Sequence, residues 1–480
     1  MSAQTRSFLL TAASPLLVSP LLWSSACTGT DGRGLSDPFD DSDIEAVADE
    51  GEATMEVAVD QVDPIARGVR RDRAALRAIV DAMGLSPIAA PPPVTHEMFE
   101  LGRALAFDKI LSGNQNISCL TCHHPDESSG DGRQLPLGTD GAGLGPQRSG
   151  GHIIPRNSPP LFNLHASATM FWDSRVEFEA GALNTPAGIE LTPGMVDTFD
   201  FGVVSAQAMF PVTSREEMRG QIGENEVADA GSLTAVWAAL MQRLGAIPVY
   251  VDMFEDTYPG IPFEDMTFAH AANAIAGFEV RAFSATDTPW DRFLAGDDGA
   301  MSSKQIRGAI EFFEAGCDNC HSGDALSDFE HHNTALAQFG PGKGDGTSGH
   351  DDFGRMRVTG ASAHQYAFRT PPLRNVELTG PWGHDGQYDD LRDFLAHYDK
   401  AATSLTNYKI TKHVGDASLY DLVENNTVAV LASVDPDISG MGNVNHIKLA
   451  DFLSALTDSA SRDLTALVPA SVPSGLPVTE

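Results

Sequence analysis

Two short motifs carry the chemistry that reads most directly from this chain: Cys119-Leu120-Thr121-Cys122-His123 and Cys317-Asp318-Asn319-Cys320-His321. Each sets two thiols three positions apart with an imidazole directly after the second, the C-x-x-C-H pattern through which c-type haem is attached. Thiols at that spacing can add to the two vinyl groups of one porphyrin, and the next residue is then placed to ligate the iron from its proximal side. The chain holds five cysteines in 480 residues, and the motifs use all of them except Cys27. A four-cysteine zinc site or a pair of thioredoxin-like redox motifs are the competing readings of the spacing. The histidine that closes both motifs favours two covalently bound c-type haems.

The elements that must hold these motifs are helical. Met98, Leu101 and Leu105 recur at helical spacing ahead of the first motif, and Ile306, Ile310 and Phe313 ahead of the second. Phe268, Ile275, Phe278 and Ala282 mark a long helix, and Leu449, Phe452, Leu453 and Leu456 a closing one, as a cytochrome c fold requires. Alternating β-branched runs are scarce. The expected fold is mainly α, with two cytochrome c-like haem domains, long loops over the haems and little β. The Gly, Asp and Pro content of residues 287–300 places the boundary there. An N-terminal haem domain is expected over 69–290, a C-terminal haem domain over 291–460 and a flexible tail over 461–480.

Ahead of the body, Arg6 precedes an apolar run from Phe8 to Trp23 and the small residues Ser24-Ser25-Ala26, which predicts a signal peptide over 1–26. Pro15 and Pro20 break the run, and a membrane-spanning helix needs about 20 apolar residues. Cleavage would leave Cys27 first, where a lipid anchor and an ordinary secreted terminus are both open. The expected location is outside the cytoplasm, periplasmic or lipid-anchored at the outer membrane. Residues 27–68 read as an acidic disordered tether, because twelve acidic residues between Thr28 and Pro64 face Arg33 alone. A formal net charge of −35 argues against nucleic acid and anionic membrane as partners and asks for a basic one.

Further stretches give the pattern a family. Leu111-Ser112-Gly113, Ile117-Ser118-Cys119, Pro155-Arg156-Asn157, Phe171-Trp172-Asp173, Arg369-Thr370-Pro371-Pro372-Leu373-Arg374-Asn375 and Gly383-His384-Asp385-Gly386 occur in that order. With the two haem motifs, they resemble the bacterial di-haem cytochrome c peroxidases and their relative MauG, over roughly residues 89–457. The stretch from Ser205 to Met218 is similar, without a gap, to the one lining the distal side of the family's peroxidatic haem. The resemblance makes Gln207 and Glu217 its distal glutamine and glutamate, and a carboxylate suits the proton transfer of O–O cleavage. Between Trp172 and this stretch, around residues 184–201, lies an insertion.

The same resemblance makes Trp172 the aromatic relay between the haems, and Asn157, Thr379 and Pro381 the holders of a calcium ion through oxygen atoms. It implies Tyr398 as distal ligand of the second haem iron, where the family's peroxidases carry methionine and MauG carries tyrosine. Leu391, Phe394, Leu395 and Tyr398 share one helical face, in agreement. Met356, Met441 and His397 are the alternatives. His152 is a displaced counterpart of the loop histidine that ligates the first haem iron, whereas His124, His331 and His332 read as exposed loop histidines.

Three activities fit. One is reduction of hydrogen peroxide at haem 1, with electrons delivered through haem 2 by a small, basic cytochrome c. Another is a MauG-like oxidation of Trp or Tyr side chains of a partner protein, which Tyr398 favours. The third is plain di-haem electron transfer, which Gln207 and Glu217 disfavour. A homodimer is compatible with each.

Overall fold

The computed structural model describes residues 64–478. The expected signal peptide, Cys27 and all of the tether before Pro64 lie outside the described residues. Eight helices of eight residues or more are found among them: α1 (Pro64–Met83), α2 (His96–Phe107), α3 (Leu233–Gly245), α4 (Pro248–Thr257), α5 (Phe268–Ala282), α6 (Ser303–Glu314), α7 (Leu391–Asp399) and α8 (His446–Leu453). Strands are short. The longest sheet is the antiparallel meander β3 (Thr169–Met170), β4 (Val176–Glu179) and β5 (Ala182–Asn184); β1 (Gly141–Ala142) pairs with β2 (Ser149–Gly150), and β6 (His331–His332) with β7 (Phe368–Arg369). The architecture is mainly α with little β, as the residue pattern predicts.

Two helix crossings organise the chain. At Gly102 on α2 a Cβ would lie 1.9 Å from the carbonyl oxygen of Ala274 on α5, and at Gly308 on α6 one would lie 2.2 Å from that of Lys448 on α8. In each crossing a phenylalanine of the later helix, Phe278 or Phe452, flanks the glycine. Only residues without a side chain let the backbones approach this closely. The first crossing joins a core with Leu101, Leu105, Trp237 and Phe278; the second joins one with Trp290, Phe293, Ile306 and Phe452. The stripe on α6 is Ile306, Ala309 and Phe312, while Ile310 and Phe313 are only half-buried.

Three segments differ from expectation. Helix α1 begins inside the expected tether, at Pro64, and buries Leu76 and Val80 in the second core rather than the first. The boundary segment forms a short helix, Pro289–Leu294, whose Trp290 and Phe293 anchor the second core. The tail expected to be flexible packs on the first core: Val472 is buried there, and Ser474 Oγ donates to Asp108 Oδ1 at 2.6 Å. Its scattered apolar residues follow no helical or strand period, so the sequence pattern hides their burial. The insertion also packs, burying Leu191 and Met195.

Candidate functional site

The first C-x-x-C-H motif is one helical turn, Cys119–Cys122, capped by hydrogen bonds between Ser118 and Thr121. The turn delivers His123 with its Nδ1 3.1 Å from the carbonyl oxygen of Ser129. A carbonyl only accepts, so Nδ1 carries the proton and Nε2 keeps a lone pair for a metal. The second motif repeats the device, with His321 Nδ1 3.0 Å from the carbonyl oxygen of Leu326. Burial holds both imidazoles below the usual histidine range, in the neutral form that ligates. The four cysteines are unpaired.

Each motif opens onto a cavity. The first encloses about 1210 Å³ including its mouth, and the second about 1430 Å³. Small-molecule pockets usually hold roughly 300–1,000 Å³. Cys119, Cys122 and His123 line the first cavity, and Cys317, Cys320 and His321 the second. Thiols, a lone-pair nitrogen and a large apolar space fit a covalently held porphyrin.

Gln207 and Glu217 stand on the wall of the first cavity. Gln207 belongs to the short helix Val203–Ala208, which Ser205 ties to α5 by a 2.8 Å bond to Asn273 Oδ1. Glu217 sits on a single widened turn, Arg215–Arg219, where Arg219 and Gly220 donate to carbonyls five residues back, at 2.9 and 3.1 Å. Such turns are rare and recur at functional sites. Two glycines seat this one: a Cβ on Gly138 would lie 1.8 Å from the Glu216 carbonyl oxygen, and one on Gly113 1.9 Å from that of Arg219. Burial pushes the Glu217 carboxyl up, while Arg175 and then Lys343, both on the same wall, pull it down.

Leu391, Phe394, Leu395 and Tyr398 of α7 all line the second cavity, so the expected face is the one that points inward. Burial pushes the Tyr398 phenol up. Met441 also lines this cavity, whereas Met356 does not. His397 is taken up elsewhere: its Nε2 lies 2.8 Å from the Thr334 carbonyl oxygen and its Nδ1 3.1 Å from the Tyr388 hydroxyl.

Trp172 lines both cavities, with its Nε1 donating to the Asn157 carbonyl at 2.9 Å and its own carbonyl accepting from Arg369 N at 2.8 Å. Asn157, Thr379 and Pro381 all line the second cavity. Asn157 Nδ2 donates to the carbonyls of Arg133 and Gln134, which turns its Oδ1 away from them.

His152 is not brought into the first cavity. Main-chain bonds pair it with Gly138 and Thr139, and its ring, 43% exposed, lies 3.9 Å from Asp140. His124 is buried rather than exposed, its Nδ1 accepting from Asp126 N at 3.2 Å. His331 and His332 are half-buried: His331 Nε2 meets Ser174 Oγ at 2.8 Å, and His332 lies between Asp328 and Asp435, at 3.0 and 2.8 Å.

Comparison with known proteins decides the family. The sequence pattern of the di-haem cytochrome c peroxidases matches residues 96–299. Cytochrome c551 peroxidase of Pseudomonas aeruginosa is 33% identical over 310 residues, which cover 63% of this chain and 72% of that protein. This chain belongs to the di-haem cytochrome c peroxidase family. The methylamine utilization protein MauG of Methylorubrum extorquens, 30% identical over 332 residues and covering 69% and 76% of the two chains, is a relative of the other kind. Among solved structures, a MauG-like protein associated with microbial copper homeostasis superposes with a TM-score of 0.53 at 25% identity, covering 78% of this chain and 94% of that one. The family is a di-haem one, and the two cavities match its two cofactors in number and in donors.

Several cavity contacts of this family member are not legible in the sequence, even where the residue belongs to a landmark. Arg156 is buried between Asp352, at 2.6 and 2.9 Å, and Asp173, at 2.7 Å, and so clamps the two halves. Glu279 on α5 lines the first cavity with 5% exposure, and its Oε2 has no partner. Arg175 and Lys343 reach the same cavity. Only the fold joins these residues to Glu217. His384, known from the sequence as a landmark, lines the second cavity and stacks on Phe368 at 3.7 Å.

Proposed function

We propose that this chain reduces hydrogen peroxide at the first cavity, with electrons entering through the second from a small, basic cytochrome c. The observation that carries this reading is the pairing of Glu217 and Gln207 on the wall of the cavity that His123 enters. When bound, the haems supply the iron redox chemistry and the path for electrons. Glu217 accepts a proton from one peroxide oxygen and returns it to the other, which leaves as water. Gln207 offers an amide to hold the peroxide, His123 and His321 offer Nε2 to the irons, and Trp172 spans the gap between the cavities. Calcium is assigned to Asn157 Oδ1 and the carbonyls of Thr379 and Pro381, a hard-oxygen set drawn from both halves. A location outside the cytoplasm follows from the expected signal peptide and from the C-x-x-C-H chemistry.

A turnover assay with peroxide and reduced cytochrome c tests the reading. Glu217→Gln should slow oxidation of the haem protein by peroxide about 10²-fold or more; an unchanged rate removes Glu217 from the reaction. Tyr398 on the second cavity supports the alternative, a MauG-like oxidation of aromatic side chains in a partner protein. The same assay, run with candidate partner proteins in place of the cytochrome, separates the two.

A further inference from the structure

Between Phe339 and Gly354 the second half sends a glycine-rich loop across to the first cavity. Gly340 and Gly342 take φ values of +89° and +61°, and a Cβ on Gly342 would lie 1.8 Å from the His350 carbonyl oxygen. The two arms of the loop therefore lie back to back. Lys343 N donates to the Asp351 carbonyl at 3.0 Å, and Asp345 and Asp351 exchange main-chain bonds of 3.2 Å. Its base is fastened to the first half by the bidentate contact of Asp352 with Arg156. This strap brings Lys343 into the lining of the first cavity, with Gln207, Arg175 and Glu217.

The charges around Glu217 are unequal in what answers them. Arg175 is paired with Asp173 at 3.0 Å and lies over the Phe171 ring at 3.4 Å. Arg156 is answered twice, by Asp173 and Asp352. Lys343 makes no ion pair within 4.0 Å among the described residues. The other groups facing Glu217 are Glu216, a like charge, Ser214, a hydrogen-bond donor, and the Cys122 sulfur, which a thioether bond makes neutral. Burial, and then the like charges of Arg156 and Arg175, hold the Lys343 ammonium below the usual lysine range, and attraction to the Glu217 and Asp352 carboxylates offsets part of that cost.

We propose that Lys343 is a positioning residue for Glu217: acting across the first cavity, its ammonium group keeps the carboxylate ionised, so that one half of the molecule supplies the base and the other half sets its charge. This rests on the peroxide reading of Glu217 given above. With Lys343 neutralised, Glu217 holds its proton to higher pH and the base is lost near neutrality.

The test uses the haem-loaded full chain. The infrared carbonyl stretch of protonated Glu217, assigned by its loss in Glu217→Gln, is followed against pH. In Lys343→Met its midpoint should rise by about one pH unit, a tenfold loss of ionised base at a given pH, and the acid limb of peroxide reactivity should move with it. Lys343→Arg should restore both. If Lys343→Met loads haem poorly, Lys343→Gln carries the same prediction. A midpoint unchanged in a folded, haem-loaded variant overturns the proposal. If Glu217→Gln instead reacts with peroxide at the normal rate, the peroxide role of Glu217 fails, while the infrared midpoint still decides the link to Lys343.

Discussion

At the scale of single residues, the two cavities hold groups whose protonation their surroundings decide. Glu279 is the plainest, because burial alone acts on it and pushes its carboxyl up to about 8. Between its ordinary 4.5 and about 8 it is therefore neutral in the fold and ionised in the unfolded chain. The stability this neutral group provides is fully present below 4.5 and is lost as pH rises through about 8, on the order of a few kcal/mol in total. Urea unfolding of Glu279→Gln should lack this decline between pH 5 and 8; a parallel decline in both proteins would place its cause elsewhere. Tyr398 is the second case. A phenolate oxygen favours ferric iron more than a thioether does, so Tyr398→Met should raise the potential of one haem and alter its spectrum. An unaltered spectrum and potential would leave Met441, on the same wall, as the ligand.

Among the elements, periodic residues were legible and local exceptions were not. The α7 face from Leu391 to Tyr398 and the buried α8 residues Leu449, Phe452 and Leu453 follow directly from helical spacing. The widened turn under Glu217 does not, since its conformation is imposed by contacts with Gly113 and Gly138, far from it in the chain. Lys343 was illegible for the same reason. No local pattern distinguishes a lysine on a loop from any solvated one. The glycine contact makes a prediction: Gly138→Ala pushes a methyl group against the Glu216 carbonyl and must shift the turn, at a cost of about 1–3 kcal/mol. Haem content should stay normal while reaction with peroxide falls; normal peroxide reactivity would show that the turn tolerates the shift.

Over the whole molecule, charged and polar links join the halves, beside the apolar packing of α1 in the second core and of the tail in the first. Arg156 grips Asp173 and Asp352, Asn157 N donates to the His384 carbonyl at 2.8 Å, and Trp172 is held by main-chain atoms from both halves. The proposed calcium would add a link of the same kind. Chelation with EGTA should lower peroxide turnover, and calcium rather than magnesium should restore it, given the different coordination demands of the two ions. Turnover indifferent to chelation would mean that the three oxygens hold no calcium.

The crossed ends of the chain bear on how the molecule is made. Helix α1 finds its apolar partners only in the core that α6 and α8 build, and the tail around Val472 finds its own in the core around α2 and α5. Chains emerge from their N-terminus and domains tend to fold in that order, so α1 must wait, its Leu76 and Val80 uncovered, until α6 has been synthesised. The first core in turn takes in Val472, which is synthesised after both C-x-x-C-H motifs. Neither core closes without a segment drawn from the far side of the described residues, Leu76 and Val80 for the second and Val472 for the first.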